Sequence, residues 1–243
     1  MDLSEITPGN MRRHPWELAR ADFFSDILQS LPATLGDVWL DVGSGDAWLA
    51  EQLAVPKSET RVTCWDINYA QDTPRGDHLF LTRTRPRESF DLILMLDVLE
   101  HVEEDQQFVQ DVVRDDLAPD GWILVSVPAH MSLFSQHDVA LSHYRRYAPK
   151  DCRKLLQRAG LVVEWEGGLF HALAAVRYLQ VLAERRARSR RRDHGIGGWD
   201  GSPLLTAAIR RGLHTEMRVS RALGRRRLVV PGLTYWALCR AQR

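Results

Sequence analysis

Apolar residues along the chain follow two rhythms. Val38-Trp39-Leu40-Asp41-Val42, Val62 to Ile67, Phe90-Asp91-Leu92-Ile93-Leu94-Met95-Leu96, Trp122 to Pro128 and Leu161 to Trp165 are short runs, β-branched or almost continuously apolar. Such runs suit parallel strands covered on both faces. Between them the spacing turns helical. Trp16, Leu18, Ala19, Phe23, Ile27 and Leu28 form one stripe through about Ser30, with Pro15 in the first turn. The pattern predicts strands at 38–43, 61–67, 78–81, 90–96, 122–128 and 161–165. It predicts helices at 46–54, 103–117 and 151–160, the last stopped by Gly160, with Pro119-Asp120-Gly121 as a turn. Strand and helix alternate through six strands, which argues for a doubly wound α/β sheet.

The remainder changes character. Leu169 to Ala183 is apolar on most faces, Glu184 to Arg192 is an arginine run, His194 to Pro203 is a glycine-rich linker, and Leu204 to Leu223 is an amphipathic basic helix pattern. A turn and a last strand follow over 227–240. Three parts are therefore expected: a core over 1–168 that includes an N-terminal helix after a mobile lead-in, a basic helical insertion or lid over 169–226, and a final strand over 227–243 that rejoins the core sheet.

Charge supports this division. Residues 1–168 hold 16 basic and 28 acidic residues, net −12, and residues 169–243 hold 16 and 4, net +12. Either the basic part faces something anionic or the two parts pack against each other. With 44% hydrophobic residues the chain is long enough to bury a core and too apolar for overall disorder. No apolar stretch follows the first charges and no run approaches 20 apolar residues, so neither a signal peptide nor a membrane span is expected. Cys64, Cys152 and Cys239 are far apart, fit no metal pair, and suit a reducing cytoplasm as small buried hydrophobes.

The first strand ends in an acid and runs into Gly43-Ser44-Gly45-Asp46-Ala47. Glycines allow a tight turn and close approach to a ligand, and the following helix directs free N–H groups to the same place. The second strand also ends in an acid, Asp66, 21 residues after Gly45, where nucleotide-binding α/β folds hold ribose hydroxyls. A dinucleotide fingerprint would need a small residue where Trp48 stands. The fourth main strand exits into Asp97-Val98-Leu99-Glu100-His101-Val102. The segment Ala129 to Pro149 is long for a loop and holds His130, His137, Asp138, His143, Tyr144, Arg145, Arg146 and Tyr147, a chemistry-rich set.

Leu40 to Ala47, Asp66, Phe90 to Val102, Leu117 to Pro128 and the Arg146-to-Pro149 helix lead-in together resemble class I S-adenosylmethionine-dependent methyltransferases, in particular the small-molecule and polysaccharide-associated type 11-like group. Ala47 stands where that family often has a third glycine, and Thr82 to Pro86 stands where it usually keeps a polar adenine contact. The resemblance implies a Rossmann-like, seven-stranded, mostly parallel sheet, the last strand antiparallel after a helical insertion. It implies S-adenosylmethionine as cofactor and O-methylation of a small molecule or a sugar or lipid-linked glycan. It places Asp41, Gly43, Ser44 and Gly45 around the methionine part of the cofactor, Asp66 at the ribose, Ile67 at the adenine, and Leu96 and Asp97 under the sulfonium.

For a proton acceptor the candidates are His137 and His143, then His101, because imidazole titrates near neutrality. His101 and at least one loop histidine have a structural reading as well. His137, Asp138 and His143 also make a permissive two-histidine, one-carboxylate set, but Asp138 could equally orient a histidine, and no metal is assigned. Trp16, Arg145, Arg146 and Tyr147 are candidates for holding the acceptor, the arginines by gripping an anion or, alternatively, by pairing with the acidic 103–116 helix. A cytoplasmic location is expected, and the basic insertion could add peripheral contact with the anionic inner face of the membrane. A nucleic-acid methyltransferase is the alternative, although Leu96-Asp97-Val98-Leu99 is not the exit used on base amines. A non-catalytic binding protein of the same fold is the third reading.

Overall fold

The computed structural model describes residues 13–32, 35–54, 59–187, 199–224 and 229–242. The expected lead-in over 1–12, the arginine run past 187, most of the glycine-rich linker and the turn at 227–228 lie outside the described residues.

The elements are α1 (Pro15–Leu28), β1 (Val38–Val42), α2 (Trp48–Ala54), β2 (Arg61–Trp65), β3 (Thr73–Arg75), β4 (Leu79–Thr82), β5 (Phe90–Leu96), α3 (Asp105–Asp115), β6 (Leu117–Pro128), α4 (Gln136–Ala140), α5 (Pro149–Arg158), β7 (Leu161–Leu169), α6 (His171–Ala187), α7 (Pro203–Gly224) and β8 (Thr234–Ala241). The strands form one sheet in the order β3-β4-β2-β1-β5-β6-β8-β7. β4, β2, β1, β5 and β6 are mutually parallel, and β8 slots antiparallel between β6 and β7.

The sheet has eight strands rather than seven. Thr73–Arg75 folds back antiparallel on Leu79–Thr82 through Gly76, whose φ of 63° is the left-handed conformation a tight turn requires. Pro119-Asp120-Gly121 is not a free turn. It lies inside β6, where Asp120 takes φ 64° and the register against β5 shifts between Phe90 and Leu92, the signature of a bulge. β7 also outruns its expected end at Trp165, because its pairing with β8 continues to Leu169 opposite Thr234.

Side chains of the central strands alternate between two cores. Leu92, Leu94, Leu96, Trp39, Leu124, Trp236 and Leu238 meet α1, α2 and α7 on one face. Ile93, Met95, Leu40, Val42, Ile123, Val125 and Ala237 meet α3 and α5 on the other. This explains why Phe90–Leu96 reads as an unbroken apolar run: both of its faces are covered. All three cysteines are buried within these cores, and burial pushes their thiols well above the usual range.

α7 closes over α1. Arg210 Nε donates to Asp22 at 2.6 Å, His214 Nε2 lies 3.1 Å from Asp26, and Arg221 donates to the Asp26 carbonyl at 3.2 Å and to Ser30 at 2.7 Å. Leu213 and Met217 are buried beneath. For α7, then, the charge asymmetry is in part internal pairing.

The chain order places the sheet's switch point between β1 and β5. From β1 the chain steps outward to β2 and β4, then returns to the other side of β1. Ligands of open α/β sheets bind at the carboxyl ends of strands flanking such a point. The loops there are Gly43-Ser44-Gly45 after β1, Asp66 after β2 and Asp97 after β5.

Candidate active site

The loop after β1 alternates into the left-handed region at Gly43, Gly45 and Ala47, with φ of 61°, 55° and 58°. Gly43 permits more than the turn. A Cβ there would come within 2.9 Å of Val98 Cγ2 on the β5 exit, so only glycine lets the two loops touch. Ala47, fully buried, holds a glycine-like conformation at a modest cost in strain. The Gly43 and Ser44 amides both reach the Trp65 carbonyl, at 2.7 and 3.3 Å. The Ser44 hydroxyl sits 2.8 Å from the Tyr69 hydroxyl.

Asp66 ties these loops together. Its Oδ2 accepts the Gly45 amide and its Oδ1 the Asn68 amide, both at 2.9 Å. Each carboxylate oxygen keeps a second lone pair. Beside it, Ile67 is 68% exposed, an unusual position for an isoleucine. Asp41 lies buried beneath the loop, and burial, with Asp66 and Asp46 nearby, pushes its carboxyl up to about 7 against the attraction of Arg20.

Arg13, just before α1, and Arg20, on it, lie across this edge. His14 caps the helix, and Glu17 completes a capping box with the His14 amide at 3.0 Å. Arg13 pairs with Asp46 and with Glu17, its guanidinium 4.7 Å from the Trp48 ring centre. Arg20, buried, pairs with Asp97 and packs 5.2 Å from the Trp16 ring centre. Asp97 also accepts from the Ser126 hydroxyl at 2.9 Å and takes φ 59°, which aspartate tolerates better than most residues. Trp16 in turn meets Phe170 edge-on at 6.3 Å, at the start of the α6–α7 segment.

A second group lies just beyond Asp97. Leu99–His101 forms a single 3-10 turn, and the Tyr144 amide donates to the Glu100 carbonyl at 2.8 Å, joining the β5 exit to the 129–149 segment. His101 and His143 meet edge-to-face with ring centres 4.6 Å apart. His143 Nδ1 sits 3.1 Å from Asp138 Oδ1, which also accepts Arg146 Nε at 2.6 Å, while Asp138 Oδ2 accepts the Ser135 amide at 2.9 Å. Burial opposes the charge on Asp138, but His143, Arg146 and Ser135 outweigh it and hold the carboxyl below its usual range. Glu100, fully enclosed, is driven the other way, well above its usual value, by burial and by Asp97.

The segment 129–149 is thus more ordered than a loop, with a 3-10 turn at 131–133, the short helix α4 and a parallel bridge between Ala129 and Tyr147. Of the residues singled out in the sequence, Asp41, Gly43, Ser44, Gly45, Asp66, Ile67, Leu96 and Asp97 share one edge of the sheet, with His101 and His143 next to them. His137 lies on α4, half-buried and outside the His101–His143 pair.

Arg145, Arg146 and Tyr147 do not present free groups to an acceptor. Arg145 pairs with Asp105 at 2.7 Å and with the Glu103 carbonyl, the contact with the acidic helix. Arg146 is held by Asp138. Tyr147 is buried and donates to the Leu99 carbonyl and to Asp105. The His137–Asp138–His143 set is likewise not assembled as three ligands, because Asp138 turns to His143 and Arg146. After β4, Arg85 reaches across to Asp116 at 2.8 Å, which anchors the short, helix-free crossover into β5.

Arg13, Tyr69, Glu100 and Ser126 join the site without having been singled out. Only Glu100 carried a signal, its place between Asp97 and His101. The others arrive from elements whose approach depends on packing.

The family described as Methyltransferase domain matches residues 16–165. The chain belongs to this methyltransferase family. A stretch of 88 residues is 34% identical to a probable S-adenosylmethionine-dependent methyltransferase of Mycolicibacterium smegmatis, covering 35% of this chain and 34% of that protein. The match therefore spans about a third of the length of that relative. Among solved structures, the plantazolicin methyltransferase BpumL, in complex with a monoazolic desmethylPZN analog and S-adenosylhomocysteine, superposes with a TM-score of 0.55 at 14% identity, covering 94% of this chain and 85% of that one. An S-adenosylmethionine-dependent methyltransferase from Archaeoglobus fulgidus gives a TM-score of 0.50 at 14% identity, covering 90% and 94%. At these identities the structural likeness shows the fold. The methyltransferase is of class I, and S-adenosylmethionine is its cofactor. The acids Asp41, Asp66 and Asp97 stand at the carboxyl ends of β1, β2 and β5 around the glycine loop, a donor set whose chemistry suits a ligand with ribose hydroxyls and a cationic sulfur.

The raised Asp41 carboxyl makes stability depend on pH with a definite sign. Its folded value near 7 exceeds the ordinary 3.8, so the folded chain holds the proton more tightly than the unfolded one. Between those values stability falls as pH rises, and Asp41 adds no further slope above 7. Melting temperatures from pH 4.5 to 7.5 should decline more steeply in the parent than in Asp41→Asn. Parallel curves would refute this.

Proposed function

We propose that this methyltransferase transfers the methyl group of S-adenosylmethionine to a hydroxyl oxygen of a small molecule or of a sugar or lipid-linked glycan. The observation that carries the reading is the Glu100–His101–His143 group, set beside Asp97 at the carboxyl edge of β5, with His143 oriented by Asp138. When bound, the cofactor supplies an electrophilic methyl on a sulfonium. In this reading the protein's residues do the rest. Asp41, Gly43, Ser44 and Gly45 hold the methionine part, Asp66 accepts from the ribose hydroxyls, exposed Ile67 covers the adenine, and Leu96 and Asp97 line the floor under the sulfur. Arg20 and Ser126 fix the Asp97 carboxylate in place. Trp16 and the α6–α7 segment roof the acceptor, excluding water and holding its oxygen near the about 3–3.5 Å that methyl transfer requires. The imidazole group removes the hydroxyl proton, a task that typically contributes about 10²–10⁴-fold.

The test is methyl transfer to a panel of sugar, glycolipid and phenolic hydroxyls, read by mass spectrometry. His143→Ala should lower kcat at least about a hundredfold while leaving the cofactor Kd near the parent value, and His137→Ala should leave both nearly unchanged. The reverse ranking would sink the assignment, and cofactor binding without turnover on any acceptor would favour the non-catalytic reading. The nucleic-acid reading loses some support from α7, whose Arg210, His214 and Arg221 pair with Asp22, Asp26 and Ser30 of the N-terminal segment.

A lipid-linked acceptor is favoured by one feature. Val176, Tyr178 and Leu179 on α6 and Leu204 and Leu205 on α7 are exposed, in the part of the chain that carries the surplus of arginine. No helix among the described residues is long and apolar enough to cross a membrane. Flotation with vesicles containing anionic lipid should carry the protein upward, and less so for Leu179→Asp/Leu204→Asp. Equal recovery in the pellet with and without anionic lipid would remove the membrane step.

A further inference from the structure

We propose that Glu100, His101 and His143 bind a divalent first-row transition-metal ion. One potential ligand atom from each lies within 4.8 Å of the other two. Ligand atoms around a tetrahedral ion at 2.0–2.1 Å are about 3.4 Å apart, so the three need to close by at most about 1.4 Å.

Three features distinguish this group from a chance cluster. Glu100 is 1% exposed, and its Oε2 has no hydrogen-bond partner. A carboxylate enclosed in that way is costly unless a cation or a donor meets it. The nearest arginines are already directed elsewhere, Arg146 to Asp138 and Arg20 to Asp97. Second, His143 is prepared as a ligand. Asp138 takes Nδ1, which leaves the Nε2 lone pair for an ion, and Arg146 and Ser135 hold Asp138 in turn. A carboxylate behind a histidine is the usual arrangement around metal-bound imidazole. Third, the two chain segments that supply the ligands are joined. The Tyr144 amide bonds the Glu100 carbonyl, and the Tyr147 hydroxyl bonds the Leu99 carbonyl, so the 3-10 turn and the histidine after α4 cannot drift apart independently.

Two imidazoles with one carboxylate suit manganese, iron, cobalt or zinc, and suit the all-oxygen preference of magnesium and calcium less well. Such a set covers one face of an ion and leaves other positions open for oxygen ligands. In its use, though not in its binding, this inference rests on the proposed hydroxyl methylation: an acceptor oxygen taken up by the ion would be acidified there and would give its proton to water, and in the ion-loaded protein His101 and His143 would be ligands in place of the proton-accepting role described for the ion-free site.

The experiment titrates chelator-treated full-length protein with Mn²⁺, following loss of the free-ion electron paramagnetic resonance signal, and with Co²⁺, following its visible bands. One ion per chain is expected. Glu100→Gln and His101→Ala should each weaken it at least about tenfold, with folding checked by circular dichroism, while His137→Ala should bind as the parent does. No saturable binding, or equal affinity in parent and Glu100→Gln, would overturn the site. The two readings fail separately. Ion binding without methyl transfer to any hydroxyl leaves the metal site and removes the proposed function. Turnover that survives the chelator, in a chain that takes up no ion, does the opposite.

Discussion

Asp66→Ala is expected to weaken binding of S-adenosylmethionine and of S-adenosylhomocysteine by about a hundredfold or more in calorimetry. Two losses combine. The Gly45 and Asn68 amides lose their acceptor, and each buried unsatisfied amide costs about 1–3 kcal/mol, so the loop after β1 relaxes from its left-handed turns. In the proposed role the ribose hydroxyls lose their charged partner too, a bond worth about 1.5–3 kcal/mol. Even about 3 kcal/mol is more than two decades in Kd. Asp66→Asn separates the two, since its amide oxygen can keep one loop amide while the charge is gone. It should fall between the parent and Asp66→Ala. Unchanged affinity in a folded Asp66→Ala variant would remove Asp66 from the cofactor site.

The largest effect on stability is expected at Asp138. This carboxylate is fully buried, and removing one partner of such a group leaves the others uncompensated, at a cost of about 3–5 kcal/mol. Asp138→Ala strands the Arg146 guanidinium, the His143 ring and the Ser135 amide together. The segment 129–149 should loosen first, because Arg146 and His143 are its ties to α4. The pH dependence has the opposite sign to that of Asp41. A carboxyl held below its ordinary 3.8 contributes stability that is present above that value and lost as pH falls through and below it. Guanidinium unfolding at pH 7 should show the loss, and the gap in stability between the parent and Asp138→Ala should narrow as pH falls below the ordinary carboxyl range, where the parent loses this contribution and the variant has none to lose. A change at pH 7 of under about 1 kcal/mol, the range of an exposed pair, would show that Asp138 is a surface-like contact.

These two acids also show what is readable from residues alone. Asp66 was legible because its position is a matter of chain distance: a strand must end there for β2 to lie beside β1, and the acid at that end faces the glycine turn whatever the side-chain details. The same holds for Asp41, the glycines and Asp97, each at the tip of a strand beside the switch point. Asp138 was legible only as a member of an undecided set. Whether it would ligate, orient a histidine or pair with an arginine depended on where Arg146 turned, and an arginine side chain has several rotamers that sequence does not choose between. Glu100 was missed as a ligand candidate because an acid at the start of a polar helix ordinarily faces water. Here the Tyr144 amide draws the 129–149 segment across it.

What the sequence by itself determined is therefore the alternation of strands and helices, the doubly wound α/β class, the glycine turn, the acids at the strand tips and a last strand after the helical segment. These follow from hydrophobic period and turn chemistry, which are local. Only the tertiary structure decided that Thr73–Arg75 adds an eighth strand, that Pro119-Asp120-Gly121 is a bulge within β6, that α7 pairs with the acids of α1, that Arg145 pairs with Asp105 while Arg146 and Tyr147 turn inward, and that Glu100, His101 and His143 converge. Each of those depends on which of several possible partners a long polar side chain or a strand edge meets, and that choice is made by packing across the whole fold rather than by neighbours in the chain.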